Sequence, residues 1–252
     1  MPVTIAVAGK GGTGKTTLCG LLTQDLVQRE AGRILAIDAD PSSNLNLVLG
    51  LPQGQTVGEL REESRAAAQA GQAGLPRQDW LDYAVRMAVE EGDDFDMLTM
   101  GRPEGQGCYC AANHMLRSII DSIGAAYDYV IMDNEAGMEH LSRRTTRDVD
   151  HLLLVSDASM RGLVAAENML ALSKELDVNI RHTYLVINRV IGDLPATLAA
   201  RAGQMAVPLI AVIPYDRQLV EFDGEGRPLV ELPADAPIQQ AVLGIIERLL
   251  AR

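Results

Sequence analysis

At 252 residues the chain has room for one large domain or two small ones, and ample length for a full core. An apolar content of 47% with only 4% aromatic residues suits an α/β protein built on Val, Ile, Leu and Ala. A net charge of −12 and a pI of about 4.7 leave no electrostatic footprint for nucleic acid or anionic lipid, so neither is expected as a partner. No apolar run approaches the ~18 residues of a membrane span. The N-terminus passes directly into a strand, without the basic region and cleavage site of a signal peptide. Three cysteines make no disulfide framework, and a reducing cytoplasm is the expected compartment.

The first element organises the rest. Val3–Ala8 reads as a buried strand, Gly9–Gly14 as a glycine-rich turn, and a helix opens at Lys15. Gly9, Gly14, Lys15 and Thr16 stand at the spacing G-x-x-x-x-G-K-[ST], a phosphate-binding loop. Glycines let successive backbone N–H groups turn toward an anion without Cβ clashes, and the helix N-terminus adds free donors. Gly9, Lys10, Gly11, Gly12, Thr13, Gly14, Lys15, Thr16 and Thr17 are therefore expected to bind nucleotide. Lys15 should reach the β- and γ-phosphates, and the Thr16 hydroxyl should bind Mg²⁺. A second lysine, Lys10, gives K-G-G-T-G-K-T-T. This loop resembles the deviant P-loop of the dimeric ATPases that include the nitrogenase iron protein and the septum-site and chromosome-partitioning ATPases. The resemblance implies that Lys10 reaches across a dimer interface to the partner's nucleotide, as a catalytic residue beside Lys15. Thr13 replaces the commoner Val of that loop.

The following helix, Lys15–Glu30, places Leu18, Leu21, Leu22 and Leu26 at helical spacing and ends at Gly32. Cys19 falls among them and reads as a small buried hydrophobe rather than a reactive thiol. Strands are expected at Ile34–Asp38, Phe95–Met100, Tyr129–Asp133, His151–Ser156, Thr183–Asn188 and Leu209–Ile213. Helices fit between them, notably Ala112–Ile123, Met160–Leu176 and Pro237–Leu250. Strands alternating with helices imply a mostly parallel central sheet with helices on both faces, an α/β fold. Residues 50–94, rich in Ala, Gln, Glu and Gly, read as one or two surface helices inserted within a single P-loop domain of residues 1–252.

Carboxylates at the C-terminal ends of strands are where ligands sit in open α/β sheets. Asp38-Ala39-Asp40-Pro41 is such a place, although an ordinary Asx turn before Pro41 also fits it. By resemblance it is the first switch: Asp40 orients or deprotonates the attacking water, and Asp38, Asp40 and Asn44 join the Mg²⁺ shell. Asp133 ends the strand Tyr129–Asp133 where a carboxylate holding Mg²⁺ through water is expected. Asp133-Asn134-Glu135-Ala136-Gly137 resembles the second switch, D-x-x-A-G, in which Gly137 gives its N–H to the γ-phosphate. Glu139 and His140 extend that match; His140 reads as a helix-start residue or as a relay. Asn188 offers both a donor and an acceptor, the pattern an adenine edge needs. The resembling family reads adenine at an N-[KR] pair, matched by Asn188-Arg189, and packs the base on a loop matched by Ile213-Pro214-Tyr215-Asp216. With no guanine-specificity motif in the chain, ATP and ADP are the expected nucleotides. Arg189 stands where lysine is frequent, which keeps the charge and alters the geometry.

Cys108-Tyr109-Cys110 lies in a Gly/Pro-rich stretch before the expected helix Ala112–Ile123. Two thiolates cannot complete a four-coordinate site, but two copies across a dimer axis can. Soft thiolates suit Zn, Ni or an Fe–S cluster; a C-x-C alone also fits a disulfide or two plain thiols. Together with the deviant P-loop and D-x-x-A-G-x-E-H-L, however, the pair resembles the nickel-insertion accessory ATPases of carbon monoxide dehydrogenase, the CooC family, over essentially the whole chain. The resemblance implies that Cys108 and Cys110 bind Ni²⁺ (or Zn²⁺) between the subunits of a homodimer. It also implies that nucleotide and metal promote the dimer, and that the client is carbon monoxide dehydrogenase or a related nickel enzyme. His114, one turn into the next helix, is a further candidate ligand. Two other readings stay open: an iron–sulfur electron-transfer ATPase, and a membrane-positioning ATPase using the apolar stripe of Pro237–Leu250. That helix lacks the Lys/Arg-rich polar face usual for a membrane surface, which favours docking on the core.

Overall fold

The computed structural model describes residues 2–69, 77–101, 126–136, 148–175 and 179–251. Its strands are β1 (Val3–Gly9), β2 (Ile34–Asp38), β3 (Val89–Glu91), β4 (Asp96–Thr99), β5 (Tyr129–Asp133), β6 (Asp148–Asp157), β7 (Asn179–Val190) and β8 (Leu209–Pro214). They form one sheet in the order β3-β4-β2-β5-β1-β6-β7-β8. Every neighbouring pair is parallel except β3 with β4. The described helices are α1 (Lys15–Gln28), α2 (Leu45–Leu49), α3 (Val57–Gln69), α4 (Arg77–Ala88), α5 (Met160–Glu175), α6 (Ala196–Gln204), α7 (Arg217–Glu225) and α8 (Pro237–Leu250). A 3-10 turn, Leu229–Glu231, lies between α7 and α8.

The two-residue period of the strands sorts their side chains to two cores. On β1, Ile5 and Val7 join Leu18, Leu22 and Leu26 of α1 and Val242, Ile245 and Ile246 of α8. Ala6 and Ala8, on the opposite face, join Val57 and Leu60 of α3, Ala84 of α4 and Leu163 and Ala166 of α5. Helices therefore cover both faces, as the alternating pattern predicts. α8 spans the expected residues, and its stripe Ile238, Val242, Ile245, Ile246 and Leu249 is buried in the core. α1 and α8 also meet through Gln239 Nε2, which donates to Gln24 Oε1 at 2.7 Å. Among the described residues, no helix is long and apolar enough to cross a membrane.

Four of these elements depart from the sequence reading. The stretch 50–94 holds α3 and α4 as expected, but closes with β3, a three-residue antiparallel edge too short to show a period. α2 follows the first switch within five residues. β6 and β7 run longer than expected, beginning at Asp148 and Asn179. The expected helix Ala112–Ile123 lies outside the described residues.

Candidate functional site

Sheet register gathers the site. Asp38 of β2 pairs with Asp133 of β5, and Asp133 pairs with Val7 of β1, one strand row below the phosphate-binding turn. The turn leaves β1 after Gly9 and enters α1 through Gly14, which takes φ 89°, ψ 31°. That left-handed conformation favours glycine. A Cβ there would also stand 2.5 Å from Asn188 Nδ2. Thr13 closes the turn from within, donating through its hydroxyl (2.9 Å) and its N–H (3.3 Å) to the Lys10 carbonyl.

Lys15 is buried at the start of α1, whereas Lys10 is exposed and forms no ion pair among the described residues. Beneath the turn, Thr16 Oγ1 donates to Asp133 Oδ2 at 2.5 Å. The other oxygen, Asp133 Oδ1, is buried and has no hydrogen-bond partner. Burial is the main reason the Asp133 carboxyl is pushed up to about 7, with Asp38 and Asp40 adding to the rise and Thr16 and Lys15 opposing it. Asp38 is likewise pushed up by burial, to about 6, against the pull of the N–H groups it accepts. A buried carboxylate pair with one orphaned oxygen beside a threonine hydroxyl and a lysine fits a hard divalent cation such as Mg²⁺. Cys19, one turn further along α1, is fully buried; burial, with Asp133 and Asp38 near, raises its thiol well above the ordinary value. It is an inert core residue, as expected.

The segment Asp38–Asn44, expected as the first switch, is a chain of carboxylate-to-backbone bonds. Asp38 Oδ1 accepts from the Asp40 N–H at 3.0 Å, and Asp38 Oδ2 from the Leu45 N–H at 2.9 Å. Asp38 thereby anchors the start of α2. Asp40 Oδ1 accepts from the Ser42 N–H at 2.8 Å, an Asx turn around Pro41. Asn44 precedes α2, is exposed, and caps it with no side-chain hydrogen bond. In the segment expected as the second switch, Asn134 Nδ2 donates to the Val7 carbonyl at 3.0 Å, and the methyl of Ala136 stands 3.7 Å from where a Cβ of Gly11 would lie. Gly137, Glu139, His140, Cys108, Cys110 and His114 lie outside the described residues.

Across the turn from the switches lies a cavity of about 430 Å³. Gly14 and Thr17 bound it at the phosphate-binding end; Asn188, Arg189, Pro214, Tyr215 and Asp216 supply further walls. The structure thus brings Asn188, Arg189, Pro214, Tyr215 and Asp216 to one cavity, whereas Ile213 is buried in the core. Three of them have work beyond lining. Asn188 Nδ2 donates to the Thr13 carbonyl at 2.8 Å and Oδ1 accepts from the Arg189 N–H at 2.8 Å, tying β7 to the turn. Its second amide hydrogen and second Oδ1 lone pair remain for a base edge. Arg189 adopts φ 59° and donates from Nη1 to the Gly12 carbonyl at 2.8 Å. Asp216 spends both oxygens on backbone: Oδ1 accepts from Gln218 and Leu219 at the start of α7, and Oδ2 from Ile238 at the start of α8. It is the N-cap of α7 that holds the pocket loop in shape. Sequence reasoning missed Leu47 and Val48 of α2, which also line the cavity. Leu45, Leu47, Val48 and Leu49, a mostly apolar stretch interrupted by Asn46, were their signal.

The chain belongs to the CobQ/CobB/MinD/ParA nucleotide-binding domain family, whose pattern matches residues 4–229. It is 40% identical over 248 residues to an uncharacterized ATP-binding protein of Methanocaldococcus jannaschii, covering 98% of each chain. It is 31% identical over 243 residues to the carbon monoxide dehydrogenase accessory protein CooC of Rhodospirillum rubrum, covering 90% of this chain and 89% of that one. Among solved structures, the septum site-determining protein MinD of Pyrococcus horikoshii, complexed with Mg-ADP, superposes with a TM-score of 0.70 at 25% identity, covering 100% of this chain and 98% of that one.

Proposed function

We propose that this protein is a Mg²⁺-dependent ATPase, a single P-loop domain over residues 1–252, that converts ATP and water to ADP and phosphate in order to deliver nickel to an enzyme. The observation that carries the ATPase reading is the orphaned, buried Oδ1 of Asp133, whose Oδ2 accepts from Thr16, under a complete phosphate-binding turn. Thr16, Asp133, Asp38 and Asp40 would hold Mg²⁺, which neutralises charge developing on the transferred phosphoryl group. Lys15 binds the β- and γ-phosphates, and Asp40 positions the attacking water. Lys10, exposed and without an ion pair among the described residues, serves the nucleotide of a partner subunit. Gly137 senses the γ-phosphate.

Nickel delivery rests on Cys108 and Cys110 and on the likeness to the CooC protein of Rhodospirillum rubrum. Two copies supply four thiolates, a set that holds Ni²⁺ or Zn²⁺ as cargo. ATP draws the subunits together and hydrolysis releases them, so nucleotide and metal affinities are coupled reciprocally. Carbon monoxide dehydrogenase or a related nickel enzyme is the client. Cys108→Ala is expected to abolish metal binding while ATP hydrolysis continues; unaltered metal binding would overturn the assignment.

The likeness to the septum site-determining protein favours a second reading, an ATPase that positions other proteins at a membrane. The apolar stripe of α8 is committed to the core, so a membrane surface would have to be met by other residues. Flotation of the protein with vesicles in Mg-ATP would favour that reading over metal delivery.

A further inference from the structure

Leu47 is 65% exposed on a helix whose neighbouring positions, Leu45 and Leu49, are buried. It lies on the wall of the 430 Å³ cavity that begins at Gly14 and Thr17. Two other exposed apolar residues of the same cavity are Val220 of α7, 49% exposed, and Tyr215, 46% exposed. A leucine left in water beside such a cavity gains free energy when a flat apolar surface fills the space. A purine base has two such faces. Continuity of the cavity with the phosphate-binding turn makes the base of a bound nucleotide its occupant.

The same short helix is fixed at three points. Its first N–H, that of Leu45, is held by Asp38 Oδ2. Val48 packs into the notch left by Gly20 of α1, where a Cβ would stand 2.3 Å from Val48 Cγ1. Leu45 and Leu49 enter the core with α1 and the turn at Leu229. α2 therefore moves, if at all, together with Asp38, and Asp38 in turn holds the N–H of Asp40. One face of α2 lines the cavity, and its N-terminus is held by Asp38, which also holds the N–H of Asp40.

We propose that Leu47 is a base-contacting latch, and that α2 transmits occupancy of the nucleobase pocket to Asp38 and Asp40, so that a nucleotide with a seated purine sets the first switch for Mg²⁺. This rests on the nucleotide-binding reading and goes beyond it: the base becomes part of the switch and not only an affinity handle. Leu47 is a binding residue; Val48 and Asp38 act as positioning residues in the coupling.

The test is titration calorimetry on the full-length protein and on Leu47→Ala, with Leu47→Met as the conservative control. An exposed residue can be changed without loss of fold. Three quantities are read: affinity for ADP, affinity for pyrophosphate, and the Mg²⁺ concentration giving half-saturation when ADP is already saturating. The expected result for Leu47→Ala is an ADP affinity lowered about tenfold, an unchanged pyrophosphate affinity, and a half-saturating Mg²⁺ concentration raised several-fold. Leu47→Met should restore all three. A change in ADP affinity with no change in Mg²⁺ half-saturation would overturn the coupling. No change in ADP affinity would overturn the latch. Wild-type protein binding neither ADP nor pyrophosphate would instead overturn the nucleotide reading on which the latch stands.

Discussion

At the scale of residues, the site is a set of unfavourable burials that a bound cation would relieve. Asp133 and Asp38 are buried within one sheet register of each other, and their carboxyls are held up to about 7 and about 6. Both values lie above the unfolded value of 3.8. Between about pH 4 and pH 7 the folded chain therefore binds more protons than the unfolded chain, and stability falls as pH rises through that window. Without Mg²⁺ and nucleotide, the melting temperature should be lower at pH 8 than at pH 5, and Mg-ADP should close the gap. Asp133→Asn removes the charge, so at pH 8 without Mg²⁺ it should melt above the wild type, by the equivalent of about 1–4 kcal/mol, while losing Mg²⁺-dependent nucleotide binding. A wild-type melt that rises steadily from pH 5 to pH 8 would contradict this. Thr16 and Asp133 were each legible in the sequence as cation-holding residues because both stand at fixed motif positions, while their direct hydrogen bond follows from the fold. The work of Asp216 was not: the carboxylate after a strand looks the same whether it faces a ligand or caps two helices, and only the fold brings Ile238 to it.

At the scale of elements, length decided what could be read in advance. α1, α5 and α8 run for 14, 16 and 14 residues, long enough for the 3.6-residue period to show. α2 and β3, at five and three residues, are too short for their periods to repeat and so to reveal them. They form through tertiary contacts: α2 through Asp38 and the notch at Gly20, β3 through antiparallel pairing with β4. α8 shows how one pattern serves two physical ends. Its stripe Ile238, Val242, Ile245, Ile246 and Leu249 would suit a membrane surface or a core, and the fold packs it against α1 and the sheet. Ile245→Ala should therefore cost about 2–5 kcal/mol in a denaturant melt. A loss below about 1 kcal/mol would mean the helix is not part of the core.

At the scale of the whole molecule, a sheet covered on both faces leaves its C-terminal edge open, and the phosphate-binding turn, Asp38, Asp133 and the cavity beside Asn188 share that edge. The chain carries a net charge of −12, yet it places Lys10 exposed at this edge. Two such acidic subunits repel unless a phosphate anion shared between them, or a cation held by both, offsets the charge. In the proposed function assembly is the central event, with ATP at one site and metal at Cys108 and Cys110 each drawing the subunits together. The most direct test is anaerobic titration of the full-length protein with Ni²⁺ in Mg-ATP, followed by sizing chromatography with metal content measured per subunit. The account predicts one nickel for every two subunits, eluting only with the dimer. Nickel bound one per monomer, or none bound at all, would contradict it.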